Sequence, residues 1–369
     1  MSDKSQSPVL EEFKTKLIGH PLLTATRDVA LDLIREPAGK QLALIMGPTG
    51  VGKTTLFNRL KKHLVEEDFS ALMAQNKGAI PVVSVRTRAP ESGSFDWRDF
   101  YIRILKEMHD PAAELDLALS ISTGDKVSKV SQLSTLNLMS LREMVENAFY
   151  HRSVRVLLVD EAQHFQKMAT GRRLRDQMDT LKSLAELRDV FIVLVGTYEL
   201  IQMRELNGQL TRRCASLHFP RYRFDEPGEW AQFKSAVHSL GVRLQRNGGE
   251  HHLGDHVDLL YKGSCGCFGV LKNWLTRALK LAEREGTRIG KAQLEQTMEP
   301  TSALLKLARE IKEGEAHWQR SFAHDPELDE LLGMTAQPVV SRPPKKAPTY
   351  GVGVRNPIRD PIGAEATLV

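Results

Sequence analysis

The sequence is 369 residues long, 41% hydrophobic and 26% charged, with a formal net charge of +5. This is the make-up of an ordinary soluble protein, with room for one large domain and a smaller one. No apolar run reaches the ~18 residues needed to cross a bilayer, the opening "MSDKSQSPVLEEF" lacks the basic-then-apolar layout of a signal peptide, and three cysteines are too few for a disulfide framework. The expected setting is a reducing cytoplasm, without a membrane partner. The basic excess suits a nucleic-acid partner without requiring one.

In chain order, residues 12–36 read as helix in two pieces broken at Pro21, ending an N-terminal helical segment assigned to 1–36. "QLALIM" (41–46), "AIPVVSV" (79–85), "VRVLLVD" (154–160) and "VFIVLVG" (190–196) are short and apolar on both faces, and "ASLHFP" (215–220) makes a fifth such run. Runs of this kind fit strands of a parallel sheet covered by helices on both sides, and helical stretches fill the gaps between them. The pattern predicts a doubly wound α/β domain over 37–222. Residues 228–247, 254–262, 269–284 and 290–298 read as helices without strands, which predicts a small α-helical domain over 223–300. A further amphipathic stretch, about 302–333, gives a helical extension over 301–335. Residues 337–369 hold six prolines and a charge of +3, so the segment 336–369 is expected to be a disordered, Pro-rich, basic tail.

"GPTGVGKT" (47–54) fits G-x-x-x-x-G-K-[ST] at every fixed position and lies between a predicted strand and a predicted helix. Gly47, Gly50 and Gly52 let the backbone curl so that its N–H groups face the phosphates beside a helix N-terminus, with Pro48, Thr49, Val51 and Thr55 completing the nucleotide-binding loop. Lys53 is expected to bridge the β- and γ-phosphates of ATP, and the Thr54 hydroxyl to ligate Mg²⁺. "VRVLLVDEAQHF" supplies the other half: Asp160 at a strand end can reach Mg²⁺ through its water shell, and Glu161 can polarise a water for attack on the γ-phosphate. Adjacent Asp and Glu favour hydrolysis over transfer. Thr197, at the end of the next strand, is positioned either to hold that water or to cap a helix.

Arg212 and Arg213, just before the fifth run, need a partner: an acid of the same chain, a nucleic acid, or a phosphate on another molecule. For DNA binding without sequence preference, the Ser/Thr-rich segment 120–135 offers Lys126 and Lys129; Arg86 and Arg88, or the arginines of "GRRLRDQ" (171–177), are weaker alternatives. "HHLGDH" (251–256) and "CGC" (265–267) carry metal-binding residue types, but the spacing is read without a metal site.

These segments, in this order, resemble the AAA+ ATPases over about residues 15–298. Within them, "LLVDEAQHF", "IVLVGTYEL", "QLTRRCASLHF", "IGHP" and "GPTGVGKT" are most similar to the TniB/TnsC branch of DNA-transposition regulators, to which MuB is related. The resemblance implies a P-loop NTPase sheet of order 5-1-4-3-2 with a small C-terminal helical lid. It implies a slow, regulatory ATPase that assembles as a ring or filament on double-stranded DNA, and a transposase and a target-selection protein as partners. By spacing to "SLHF", Arg212 takes the arginine-finger position, acting on a neighbouring subunit's ATP, with Arg213 as fallback. Lys272, in "GCFGVLKNWL", is the nearest counterpart of the second-sensor arginine, or else a solvated lysine. About 70 residues follow position 298, which favours a transposition regulator over an initiator carrying a winged-helix domain. Alternatives are an AAA+ ATPase of secretion or cell-envelope machinery and a P-loop kinase.

Overall fold

A computed structural model describes residues 8–15, 19–90, 95–109, 136–166, 172–205, 212–245, 253–323 and 325–334. Helices α1 (Pro8–Thr15) and α2 (Pro21–Arg35) come first, and Pro21 occupies the first turn of α2, where a missing N–H is tolerated. Strand β1 (Leu42–Met46) turns through 47–52 into α3 (Lys53–His63), which ends in a π-helical turn, Leu64–Asp68, and the short α4 (Ser70–Gln75). Then come β2 (Val82–Arg86), α5 (Trp97–Glu107) and α6 (Leu138–His151). Strand β3 (Val156–Asp160) leads through a 3-10 turn, Ala162–Phe165, to α7 (Arg172–Arg188). Strand β4 (Phe191–Gly196) leads to α8 (Leu200–Glu205), and β5 (Cys214–His218) leaves the sheet.

All pairings are parallel and the order is β2-β3-β4-β1-β5, which is the predicted 5-1-4-3-2 read from the other edge. Side chains alternate across the strands. Leu42, Leu44 and Met46 of β1 join a core with Ile104 of α5, Leu141 of α6 and Leu181 of α7, whereas Ala43 and Ile45 join Leu31 of α2 and Leu56 of α3 on the opposite face. Both faces being covered explains why β1, β3 and β4 are buried along their whole length. Two strands are offset from the apolar runs that announced them. Residues 79–81 stay outside β2 because Pro81 has no N–H to donate; its carbonyl instead accepts from Arg155 and Val156. At the other edge, β5 begins at Cys214 and ends before Phe219.

A helical core follows: α9 (Pro227–Gln245), a 3-10 turn at Leu253–His256, α10 (Val257–Ser264), α11 (Phe268–Glu285) and α12 (Lys291–Thr297), packed around Phe233, Leu240, Leu271 and Trp274. Leu10 and Phe13 of α1 are part of this core, whereas Leu23 and Leu31 of α2 belong to the sheet. The N-terminal segment, expected as one unit, is thus divided between two cores. Helix α13 (Thr301–Arg320) then meets the ends of β4 and β5: Trp318 stacks on His218 with ring centroids 4.9 Å apart, and Arg221 pairs with Glu315 through two bonds of 2.9 and 3.1 Å. The amphipathic stretch expected over 302–333 is not one helix. It stops at Arg320 and a new helix, α14 (Pro326–Leu331), starts where the Asp325 side chain accepts the Glu327 N–H. That helix lies in a separate compact unit beginning at Phe322, with Leu328, Leu331 and Leu332 exposed. The tail assigned to 336–369 lies outside the described residues. Among the described residues, no helix is long and apolar enough to cross a membrane.

Two histidines are held neutral inside the first unit. His20 shares a 2.9 Å bond between Nδ1 and the Tyr222 hydroxyl and lies 4.3 Å from the Phe268 ring; His218 shares a 2.8 Å bond between Nε2 and the Tyr198 hydroxyl. Burial pushes both down from 6.5 to about 4, and the Arg59 charge adds to the effect at His20. A depressed histidine pKa means that the unfolded chain takes up protons first as pH falls. The stability these residues contribute is therefore complete above about pH 6.5 and is lost towards pH 4. The thermal unfolding midpoint is expected to fall between pH 7 and pH 5, and His218→Asn is expected to shrink that fall; an unchanged difference would show that His218 is not held neutral.

Candidate functional site

The turn after β1 is shaped by backbone that side chains cannot follow. Gly50 and Gly52 have φ of +79° and +117°, in the region that favours glycine. A Cβ on Gly47 would lie 2.2 Å from the Phe219 carbonyl oxygen, so the chain leaving β5 presses directly on the loop. Pro48 and Val51 are buried, and Val51 joins the core beneath α2 and α3, while Thr49 is exposed and Thr55 half-buried. Gly52 precedes the first turn of α3, whose N–H groups and dipole face the loop. Lys53 is buried, and its Nζ donates to the carbonyls of Gly47 (3.1 Å) and Pro48 (2.8 Å). Burial lowers its pKa, against the opposing pull of Glu161, Cys267 and Asp160. Backbone N–H groups, a helix N-terminus and an ammonium together form a cradle for phosphate.

Across from the loop, the Thr54 hydroxyl donates to Asp160 Oδ2 at 3.1 Å, and the Glu161 N–H donates to Oδ1 at 2.9 Å. Burial raises the Asp160 pKa, partly offset by these bonds. A hydroxyl and a carboxylate at this separation are hard oxygen donors on two rigid elements, and they fit a magnesium ion. Glu161 turns out of β3 in the left-handed region, with φ of 57°, and both its carboxylate oxygens are engaged. Oε1 accepts from Arg86 at 3.2 Å and Oε2 from Gln163 at 2.6 Å. The other end of the Gln163 amide accepts the Thr197 N–H at 3.4 Å.

The Thr197 hydroxyl oxygen is buried without a hydrogen-bond partner, and α8 begins only at Leu200. The helix-cap reading of Thr197 is therefore corrected: the hydroxyl makes no capping bond, and the Thr197 carbonyl rather than its side chain accepts from Leu200. Arg86 is placed beside Asp160 by the parallel register, and its exposed guanidinium pairs with Glu161 at 3.2 Å. Arg88 pairs with Asp99 at 3.8 Å. Gln163 thus bridges Glu161 and Thr197, and its place two residues after Glu161 is the one sign of this in the sequence.

The two arginines lie at the opposite end of the sheet. The Arg213 carbonyl accepts the Gln41 N–H at 2.8 Å, and Leu42 pairs with Cys214, whereas the loop starts beyond the Met46–His218 pair. Five residues of strand put roughly 15 Å between them and the loop of their own chain. Arg213 is engaged within the chain, with Glu186 and with Gln41 Oε1 at 3.3 Å. Arg212 is exposed, and its carbonyl accepts from Lys40 Nζ at 2.7 Å. Lys272 is half-buried, and its Nζ donates to the Lys14 carbonyl at 3.0 Å, at the C-terminal end of α1. Lys126 and Lys129 lie outside the described residues, as do His251 and His252. Among the described residues, no cluster of three or more His, Cys, Asp or Glu could hold a metal ion.

The loop is also locked to the helical core. The Val270 N–H in the first turn of α11 donates to the Gly50 carbonyl at 3.0 Å, and a Cβ on Gly269 would come within 2.5 Å of that same oxygen. Gly269→Ala is expected to force loop and helix apart and to destabilise the fold by ~1–3 kcal/mol, the usual range for overpacking. Urea unfolding of the variant measures this, and an unchanged midpoint would mean that the contact yields without strain.

Comparison with known proteins bears on the fold. Residues 35–203 match the model of an AAA domain. No curated protein matches the sequence. Among solved structures, the chain is similar to the ORC2 protein of Aeropyrum pernix, in ADPNP and ADP complexes, with 16% identity, 78% of this chain and 70% of that chain covered, and a TM-score of 0.50. Weaker likenesses are to Cdc6p of Pyrobaculum aerophilum (15% identity, 78% and 69% covered, TM-score 0.45) and to domain III of the replication initiation protein DnaA of Thermotoga maritima (18% identity, 80% and 100% covered, TM-score 0.42). With its sheet order and the phosphate loop after β1, the chain has the P-loop AAA+ fold.

Proposed function

We propose that the protein is an ATP-dependent, DNA-bound assembly factor that oligomerises on double-stranded DNA and recruits or activates a transposase, with ATP hydrolysis controlling its release. The observation that carries the assembly part is the separation of Arg212 from its own phosphate loop by the full length of β1 and β5. An exposed arginine there can act only on another molecule's phosphate. A second copy that presents its loop to Arg212 makes nucleotide binding and assembly one event. The transposition part is supported by the resemblance of "LLVDEAQHF", "IVLVGTYEL" and "QLTRRCASLHF" to TniB/TnsC-type regulators.

In this reading the loop N–H groups and Lys53 hold the β- and γ-phosphates of ATP. Thr54 and, through water, Asp160 would hold Mg²⁺, which would supply positive charge against the phosphate oxygens. Glu161 takes a proton from the water that attacks the γ-phosphorus, while the bond to the ADP oxygen breaks. The unsatisfied Thr197 hydroxyl is placed for the water or a γ-phosphate oxygen. Arg212 from the next copy stabilises the charge that builds up on the transferring group. Arg86 and Gln163 each donate to one Glu161 oxygen and hold the carboxylate in place, leaving a lone pair on each oxygen for the proton.

Glu161→Gln should retain ATP and DNA binding while slowing turnover; loss of nucleotide binding would make Glu161 structural. Arg212→Ala should lower turnover by ~10³-fold or more, the range for an arginine supplied in trans, with ATP binding by the single copy retained. Arg213→Ala should instead lower stability, and a reversal of the two outcomes would exchange their roles. Lys126→Ala with Lys129→Ala should weaken DNA binding and make it less dependent on salt, and an unchanged salt slope would move the DNA surface elsewhere. Electron microscopy with a non-hydrolysable ATP analogue, with and without duplex DNA, tests assembly; single copies under every condition would sink the proposal.

A further inference from the structure

Helix α13 follows the helical core, yet it returns to the carboxyl end of the sheet and seats itself on residues that adjoin the phosphate site. Gly314 lies so close to Tyr198 that a Cβ would come within 2.0 Å of the ring. Tyr198 directly follows Thr197, and its hydroxyl shares a 2.8 Å bond with His218 Nε2. The other face of that histidine is covered by Trp318, stacked at 4.9 Å with 23° between the planes. Four residues beyond Gly314 the helix supplies the tryptophan, and one residue beyond it Glu315 forms the two-bonded ion pair with Arg221. Tyr198 and His218 are therefore held between the sheet and one face of α13.

The held segment continues into the site. The Gly196 carbonyl accepts the Gly47 N–H at 3.3 Å, and the Thr197 N–H donates to Gln163, whose amide nitrogen donates to the Glu161 carboxylate. A Cβ on Gly196 would meet the Gln163 oxygen at 2.6 Å, so the 196–198 turn and Gln163 cannot shift independently. We propose that α13 is a positioning element of the hydrolytic site: by seating Gly314 on Tyr198 and Trp318 on His218, it fixes the 196–198 turn and, through Gln163, the carboxylate of Glu161. The inference rests on the reading of Glu161 as the group that activates water. A group held by packed neighbours at the geometry of reaction loses rate, more than affinity, when that support is loosened.

The test uses the full-length protein with duplex DNA, measuring kcat and KM for ATP, binding of a fluorescent ATP analogue, and thermal unfolding. Gly314→Ala forces the Tyr198 ring to move, and Trp318→Leu removes the stack on His218. Each should lower kcat by ~10-fold, the scale expected of a small misplacement, with analogue affinity and KM within twofold of the parent. Trp318→Phe, which restores a ring over His218, should recover most of the rate. Parent-like kcat in both Gly314→Ala and Trp318→Leu, alongside an inactive Glu161→Gln, would overturn the positioning role and leave the Glu161 reading intact. Normal turnover by Glu161→Gln, or no turnover by the parent on DNA, would overturn that reading and the positioning role with it. Loss of folding in both α13 variants, or equal losses of affinity and rate, would show the helix to be a general support of the fold and would also overturn the proposal.

Discussion

The direction shared by all five strands is the constraint on which the rest of the molecule depends. Parallel pairing brings every strand's carboxyl end to one edge, so the loop after Met46, Asp160 at the end of β3 and Thr197 after β4 converge although they are far apart in sequence. The same polarity sends whatever precedes a strand to the far edge. Arg212 and Arg213 precede β5, and no local adjustment can bring them to their own chain's phosphate cradle.

Close approach of backbone, more than charge, holds the near edge together. Gly47 admits the Phe219 carbonyl, Gly50 and Gly269 let the phosphate loop touch the first turn of α11, and Gly314 admits the Tyr198 ring. Each contact joins a different part of the chain to the loop or its neighbours: the exit from β5, the helical core and the last helix of the first unit. Ionic groups are then placed on this frame. Burial lowers the Lys53 pKa and raises that of Asp160, the direction expected when each charge is drawn out of water, and the pull of Asp160 on Lys53 opposes it.

Much of this was legible in the residues. The strand runs were readable because a strand covered on both faces is apolar along its whole length, and the phosphate loop because its chemistry lies within eight consecutive residues. The boundaries of β2 and β5 moved by a few residues, since Pro81 cannot donate to its neighbour and the pairing with β1 decides where β5 starts. The roles of Arg86, Gln163 and Arg213 were not legible. Their side chains meet Glu161, Thr197, Glu186 and Gln41, partners set by strand register or by the packing of α7 against the sheet, and no local spacing encodes such a meeting.

By itself, then, the sequence determined the α/β pattern, the glycine-rich cradle with Lys53 and Thr54, and the acidic pair Asp160–Glu161, because each is a property of residues adjacent in the chain. Only the tertiary structure decided that α1 joins the helical core, that both Glu161 oxygens accept a bond, that Arg213 is held in its own chain while Arg212 is exposed, and that α13 returns to cover Tyr198 and His218. Those outcomes depend on shape complementarity between distant segments. Periodicity tells which face of a helix is buried, but the surface that face lies against is chosen by the packing of the whole.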